Sequence, residues 1–132
     1  MVQTIKENNA GIQKTTGTRI TSDGQNIYAP PEREKIIKDL LKNLEDFMHS
    51  ENGLDDLVRL AVMDYQFEAI HPFPDVNIRT GRILNILYLV DKELLDTPIL
   101  YLSRYIIANK NQYYKNLRAV TEKQDWEGLC IC

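Results

Sequence analysis

Polar and hydrophobic positions follow different periods along this chain, and the changes of period mark its elements. Residues 1–30 are polar, rich in Thr, Asn and Gly, and hold no helical repeat. Within them Thr18-Arg19-Ile20-Thr21 and Gln25-Asn26-Ile27-Tyr28 flank Ser22-Asp23-Gly24. Asp-Gly between two short β-prone runs predicts a hairpin. Ala29-Pro30-Pro31 is a stiff extended segment that opens the first helix. From Glu32 to His49, Ile36, Ile37, Leu40, Leu41, Leu44, Phe47 and Met48 recur at spacings of three and four, one helical stripe. Asn52-Gly53 stops it. A second helix is expected from about Asp55 to Ala69, with Leu57, Leu60, Ala61, Tyr65 and Phe67–Ala69 apolar or aromatic on more than one side, which suits a central helix.

Each proline of His71-Pro72-Phe73-Pro74 pushes its predecessor toward extended geometry, so this stretch ends the second helix. A third begins around Asp75–Asn77 and carries Ile83, Leu84, Ile86, Leu87, Leu89 and Val90. Thr97 as N-cap and Pro98 in the first turn open a fourth. A last helical pattern covers about Asn109–Thr121, with Trp126 packing beyond it. The expected fold is all-α, a helical bundle with a short N-terminal β-hairpin. An N-terminal segment at 1–30 precedes a helical core at 31–128 and a tail at 129–132.

The length of 132 residues suits one domain, and 43% hydrophobic with 27% charged residues is an ordinary globular balance. A net charge of −3 argues against a nucleic-acid binder. No apolar run is long enough to span a bilayer, and the N-terminus lacks the layout of a secretory signal. Cys130 and Cys132, one residue apart, read as incidental to function. The expected location is the cytoplasm, with neither nucleic acid nor membrane as partner.

The chemistry concentrates in His71-Pro72-Phe73-Pro74-Asp75-Val76-Asn77-Ile78-Arg79-Thr80-Gly81-Arg82. A histidine sits on a rigid loop directly before a helix N-terminus, whose free N–H groups and positive dipole end attract phosphate. Arg79 and Arg82 project from one face of the first turn and would grip a polyphosphate. Asp75 could cap the helix, or hold a Mg²⁺ that bridges phosphate oxygens. His71 would then be the general base. Taken singly, each has an ordinary reading: a structural histidine, an N-cap, a solvated pair of arginines. Their conjunction points to phosphate handling.

This stretch resembles the signature of the Fic ("cell filamentation") family, His-Pro-Phe-x-Asp/Glu-Gly-Asn-Gly-Arg-x-x-Arg. The resemblance extends to Tyr65–Ile70 upstream, to Ile83-Leu84-Asn85, Pro98–Ile106 and Tyr113-Tyr114 downstream, and to Tyr28-Ala29-Pro30-Pro31, similar to the end of the family's flap. It covers about residues 15–128. What it implies is transfer of AMP from ATP to a Ser, Thr or Tyr hydroxyl of a target protein, with pyrophosphate released. His71 would take the hydroxyl proton, and Asp75 would bind Mg²⁺. The run Val76, Asn77, Ile78, Arg79, Thr80, Gly81 and Arg82 would hold the nucleotide, with Asn77 and the backbone of 76–78 as anion hole and Arg79 and Arg82 on the outer phosphates. Tyr114 would sit near the base, and Phe73 would anchor the loop. The hairpin at about Thr18–Tyr28 would be the flap on which the target docks.

Two positions depart from the family pattern. Val76 and Ile78 stand where the family has glycine, which lets backbone N–H groups converge on phosphate with no side chain in the way. If either position needs φ > 0, a β-branched residue is the worst replacement there; in ordinary helix the damage is smaller. Near the start, Thr4-Ile5-Lys6-Glu7-Asn8 approaches the family's inhibitory Ser/Thr-x-x-x-Glu-Gly/Asn with one residue too few. Relatives often continue with further helices past the position of Trp126. The leading expectation is an adenylyltransferase impaired at Val76 and Ile78. The alternative is a catalytically inactive Fic-fold protein that binds partners. The target, the preferred nucleotide and the oligomeric state are not written in the sequence.

Overall fold

The computed structural model describes residues 11–13, 17, 20–22, 25–98, 104 and 108–130, with side chains of the strand residues 20–22 and 25–27 and of residue 130 left out. Helices supply most of the regular structure. Strands β1 (Ile20–Ser22) and β2 (Gln25–Tyr28) are followed by α1 (Glu34–Met48), α2 (Asp56–Ile70), α3 (Asn77–Asp91), α4 (Lys110–Lys123) and the short α5 (Glu127–Cys130). The strands pair antiparallel, Ile20 with Tyr28, Thr21 with Asn26 and Ser22 with Gln25, with a register irregularity between Ile20 and Thr21. The expected turn at Asp23-Gly24, the stretch Thr4–Asn8, most of the helix expected after Thr97-Pro98, and Cys132 lie outside the described residues.

The chain divides into two compact units, Met1–Asn52 with Gln66–Gly81, and Gly53–Tyr65 with Arg82–Cys132. In the first, α1 buries Ile37 and Leu44 from its apolar stripe. Its outer face carries ion pairs one turn apart, Lys38 to Glu34 at 2.9 Å and Lys42 to Asp46 at 2.6 Å. Phe67, Ile70, Pro72 and Val76 are buried in the same unit. The N–H of Gly17 donates to Glu32 Oε1 at 2.6 Å, fastening the start of the strand segment to its end.

In the second unit Asp55 caps α2, its Oδ1 accepting from Leu57 N–H (2.9 Å) and Val58 N–H (3.3 Å). From Val58 to Ile70 no residue of α2 is fully exposed, as the apolar residues on several sides of this helix predict. Leu57 departs from that pattern: it lies in the first turn and is 59% exposed. Asp64 pins three helices, Oδ1 accepting from Asn85 Nδ2 at 2.7 Å and Oδ2 from the Tyr113 hydroxyl at 2.6 Å. The Tyr88 hydroxyl donates to Asp56 Oδ1 at 2.8 Å. Trp126 packs edge-on against Tyr65 with ring centroids 5.1 Å apart, and Asn116 Nδ2 donates to the Gly128 carbonyl at 2.7 Å, tying α4 to α5. Among the described residues no helix is long and apolar enough to cross a membrane.

Candidate functional site

The loop between α2 and α3 begins with the residue that ends α2. His71 donates its backbone N–H to the Phe67 carbonyl at 3.1 Å and has φ 47°. A single left-handed residue just past the last turn is a common helix stop, and histidine tolerates it better than most side chains. Pro72, lacking an N–H, then makes continuation impossible. The candidate base is thus fixed by the termination of α2.

The loop is held closed by one side chain. Asn77 Oδ1 accepts the Phe73 N–H at 2.9 Å, and Asn77 Nδ2 donates to the Phe73 carbonyl at 2.7 Å. Asn77 itself is buried. Phe73, the expected anchor, is half-buried, with its ring 6.4 Å from that of Phe67. Asp75 is exposed, and its Oδ1 accepts the N–H of Val76 at 2.6 Å. A capping side chain engages amides further into the helix. The first backbone bond of α3 runs from Thr80 N–H to the Val76 carbonyl at 2.9 Å, which places Val76 directly before the helix.

The two glycine-to-branched replacements fall in different backbone environments. Val76 has φ 64° and is 7% exposed. A β-branched residue in the left-handed region carries strain of about 1–3 kcal/mol. Ile78 lies within α3, where its backbone is ordinary, and is 36% exposed. Val76 therefore stresses the backbone, whereas Ile78 adds bulk at the helix entrance.

Burial pushes the His71 imidazole below the usual histidine range, with the Glu68 backbone opposing. His71 Nδ1 and Thr80 Oγ1 are buried with no hydrogen-bond partner among the described residues. Arg79 is exposed on the first turn of α3. Gly81 comes close to α2: a Cβ there would stand 3.3 Å from Phe67 Cδ1 and 3.3 Å from Glu68 Oε1. The first unit thus brings together His71, Asp75, Val76, Asn77, Ile78, Arg79, Thr80 and Gly81 on one loop and helix start. Arg82, half-buried, and Tyr114 belong to the second unit. Tyr114 is 40% exposed on α4, its ring edge-on to Tyr113 at 5.5 Å and Lys110 Nζ 5.9 Å from its centre.

Among the described residues no group of three or more His, Cys, Asp or Glu side chains could cage a metal ion. An exposed carboxylate such as Asp75 suits Mg²⁺, which keeps waters and takes further ligands from substrate phosphates. Sequence reasoning did not single out Gln13, whose backbone N–H donates to the Pro72 carbonyl at 2.8 Å.

The profile of the Fic/DOC family matches residues 2–89. Over 81 residues the chain is 32% identical to a protein of Aquifex aeolicus (strain VF5) described as a "probable protein adenylyltransferase". The aligned stretch is 61% of this chain and 25% of that relative, so the chain spans about a quarter of its length. The family match takes in the whole loop from His71 to Val76 and almost all of α3, and on that ground the chain belongs to the Fic/DOC family.

Proposed function

We propose that this chain is a protein adenylyltransferase, acting in the cytoplasm, that moves AMP from ATP onto a Ser, Thr or Tyr hydroxyl of a target protein. The observation that carries the reading is His71 at the end of α2, half-buried and held neutral by its surroundings, with the N-terminus of α3 opening across a short closed loop. In this reading His71 accepts the target's hydroxyl proton. The hydroxyl oxygen bonds to the α-phosphorus, the bond from that phosphorus to the oxygen bridging toward the β-phosphate breaks, and pyrophosphate leaves. The unpaired amides at the start of α3 and the exposed Arg79 hold the phosphates, while Asn77 keeps the loop closed beneath them. Thr80, Gly81, Arg82 and Tyr114 complete the nucleotide-binding set by their match to the family pattern. When bound, Mg²⁺ supplies charge neutralisation at the phosphates, with Asp75 as its protein ligand. The pair β1 and β2 serves as the flap, offering strand backbone to an extended segment of the target.

A second reading, a partner-binding protein with no transferase activity, is favoured by one observation: Val76 is left-handed and β-branched. Incubation with α-labelled ATP and Mg²⁺ separates the two. We expect label in protein from the parent chain, none from His71→Ala, and more from the Val76→Gly/Ile78→Gly double variant. Absence of label from both the parent and the double-glycine variant would overturn the transferase reading and favour the binding module.

A further inference from the structure

The loop after α2 holds two residues in left-handed backbone, His71 and Val76. Such conformations persist only where the surroundings over-determine them. Two restraints are local, the His71 N–H on the Phe67 carbonyl and the Asn77 side chain on both backbone groups of Phe73. The third comes from the far N-terminal part of the chain, where the N–H of Gln13 donates to the Pro72 carbonyl at 2.8 Å. Gln13 is 1% exposed and Pro72 is fully buried, so water cannot replace this bond if it opens.

The geometry of the bond gives it leverage on His71. The Pro72 carbonyl and the Phe73 N–H belong to one planar peptide group. That plane is gripped at its oxygen by Gln13 and at its nitrogen by Asn77. The pyrrolidine ring locks the φ of Pro72, so the ψ of Pro72 is the one soft torsion between that plane and the peptide group that joins His71 to Pro72. We propose that Gln13 is a positioning residue for His71: its buried backbone bond to Pro72 holds His71 in the left-handed, half-buried pose that its role as base requires. The inference rests on the preceding functional reading only for the use to which His71 is put.

His71 is one of two histidines in the chain, so imidazole NMR resolves its titration site by site. Gln13→Pro removes the donor N–H, whereas Gln13→Leu keeps it at similar volume. In Gln13→Pro the His71 midpoint should rise toward the ordinary value of 6.5. Label transfer should fall by about tenfold or more in kcat, with KM for ATP unchanged. Gln13→Leu should titrate as the parent does. A His71 midpoint unmoved in Gln13→Pro, or moved equally in Gln13→Leu, overturns the proposal. Should Gln13→Pro fail to fold, amide exchange in the parent chain decides: Gln13 and Phe73 amides must open together with equal protection, and a Gln13 amide exchanging at the free-chain rate refutes it. Titration and exchange need neither ATP nor target, so absence of label from both the parent and the Val76→Gly/Ile78→Gly variant sinks the transferase reading while leaving this one testable.

Discussion

Left-handed backbone occurs outside glycine in two settings among the described residues. His71, Glu93 and Gln124 each follow the last turn of a helix. At Glu93 and Gln124 the left-handed residue lets the trailing amide fold back onto a carbonyl the helix leaves open, as Leu94 N–H does to Leu89 O at 2.9 Å and Asp125 N–H to Ala119 O at 3.4 Å. Val76 instead stands before a helix, its N–H taken by the neighbouring Asp75 carboxylate. It is also the one of the four with a branched Cβ. Strain at Glu93 and Gln124 is offset by the bonds it allows. At Val76 the loop dictates the conformation and the side chain bears it, so the loop's shape is set by its ties and not by its residue types.

The ties are therefore where the largest effect is expected. Asn77→Ala removes both bonds to Phe73 and leaves a peptide group unsatisfied, which should lower unfolding free energy by about 3 kcal/mol in urea titration. A loss below about 1 kcal/mol would mean that the loop is held from elsewhere. A middle-sized effect separates strain from burial. Val76→Ala deletes buried methyl groups at about 2 kcal/mol, while Val76→Gly also frees the backbone, so the glycine variant should be the more stable by about 1 kcal/mol. At Val120, buried within α4, the order should invert by about the same amount, because glycine weakens a helix. The same order at both positions would remove the claim of strain. The smallest effect is in pH. The folded chain holds His71 below its ordinary value, so the unfolded chain takes up the proton first. Stability is then lost as pH falls from about 6.5 toward the folded value. The difference in unfolding free energy between the parent and His71→Gln should therefore narrow across that window. A difference independent of pH there would contradict the burial of the ring.

Helix existence and ends were largely legible. The stripe from Glu32 to His49 became Glu34–Met48, and the span expected from Asp55 to Ala69 became Asp56–Ile70, because caps and prolines act locally. The proline-bounded loop was legible for the same reason. The sign of φ at Val76 was raised only as a condition by the family's glycine at that position, and periodicity did not decide it; the structure gives 64°. Leu57 fits the apolar pattern but sits in the first turn of α2, where nothing in its own unit covers it fully. Gln13 escaped notice because it acts through a backbone N–H, which nearly every residue carries. One signal was available: a buried carbonyl in a proline-rich loop must find a donor, and the adjacent helix could not supply it. The ligand-facing roles of Asp75, Arg79 and Arg82 are statements about a bound nucleotide, which neither periodicity nor fold determines.

The missing side chain at Gly81 sets a rotational phase. With the ring of Phe67 and the Glu68 carboxylate 3.3 Å from where its Cβ would stand, α3 approaches α2 closely at this bare position. Each helical residue advances the azimuth by about 100°. Arg79, two positions earlier, is thereby turned roughly to the opposite side of the cylinder, in keeping with its exposure. A helix free to roll would sweep its guanidinium through a wide arc, whereas one indexed at Gly81 presents it at a constant bearing. In this way an absent atom orients a charged one.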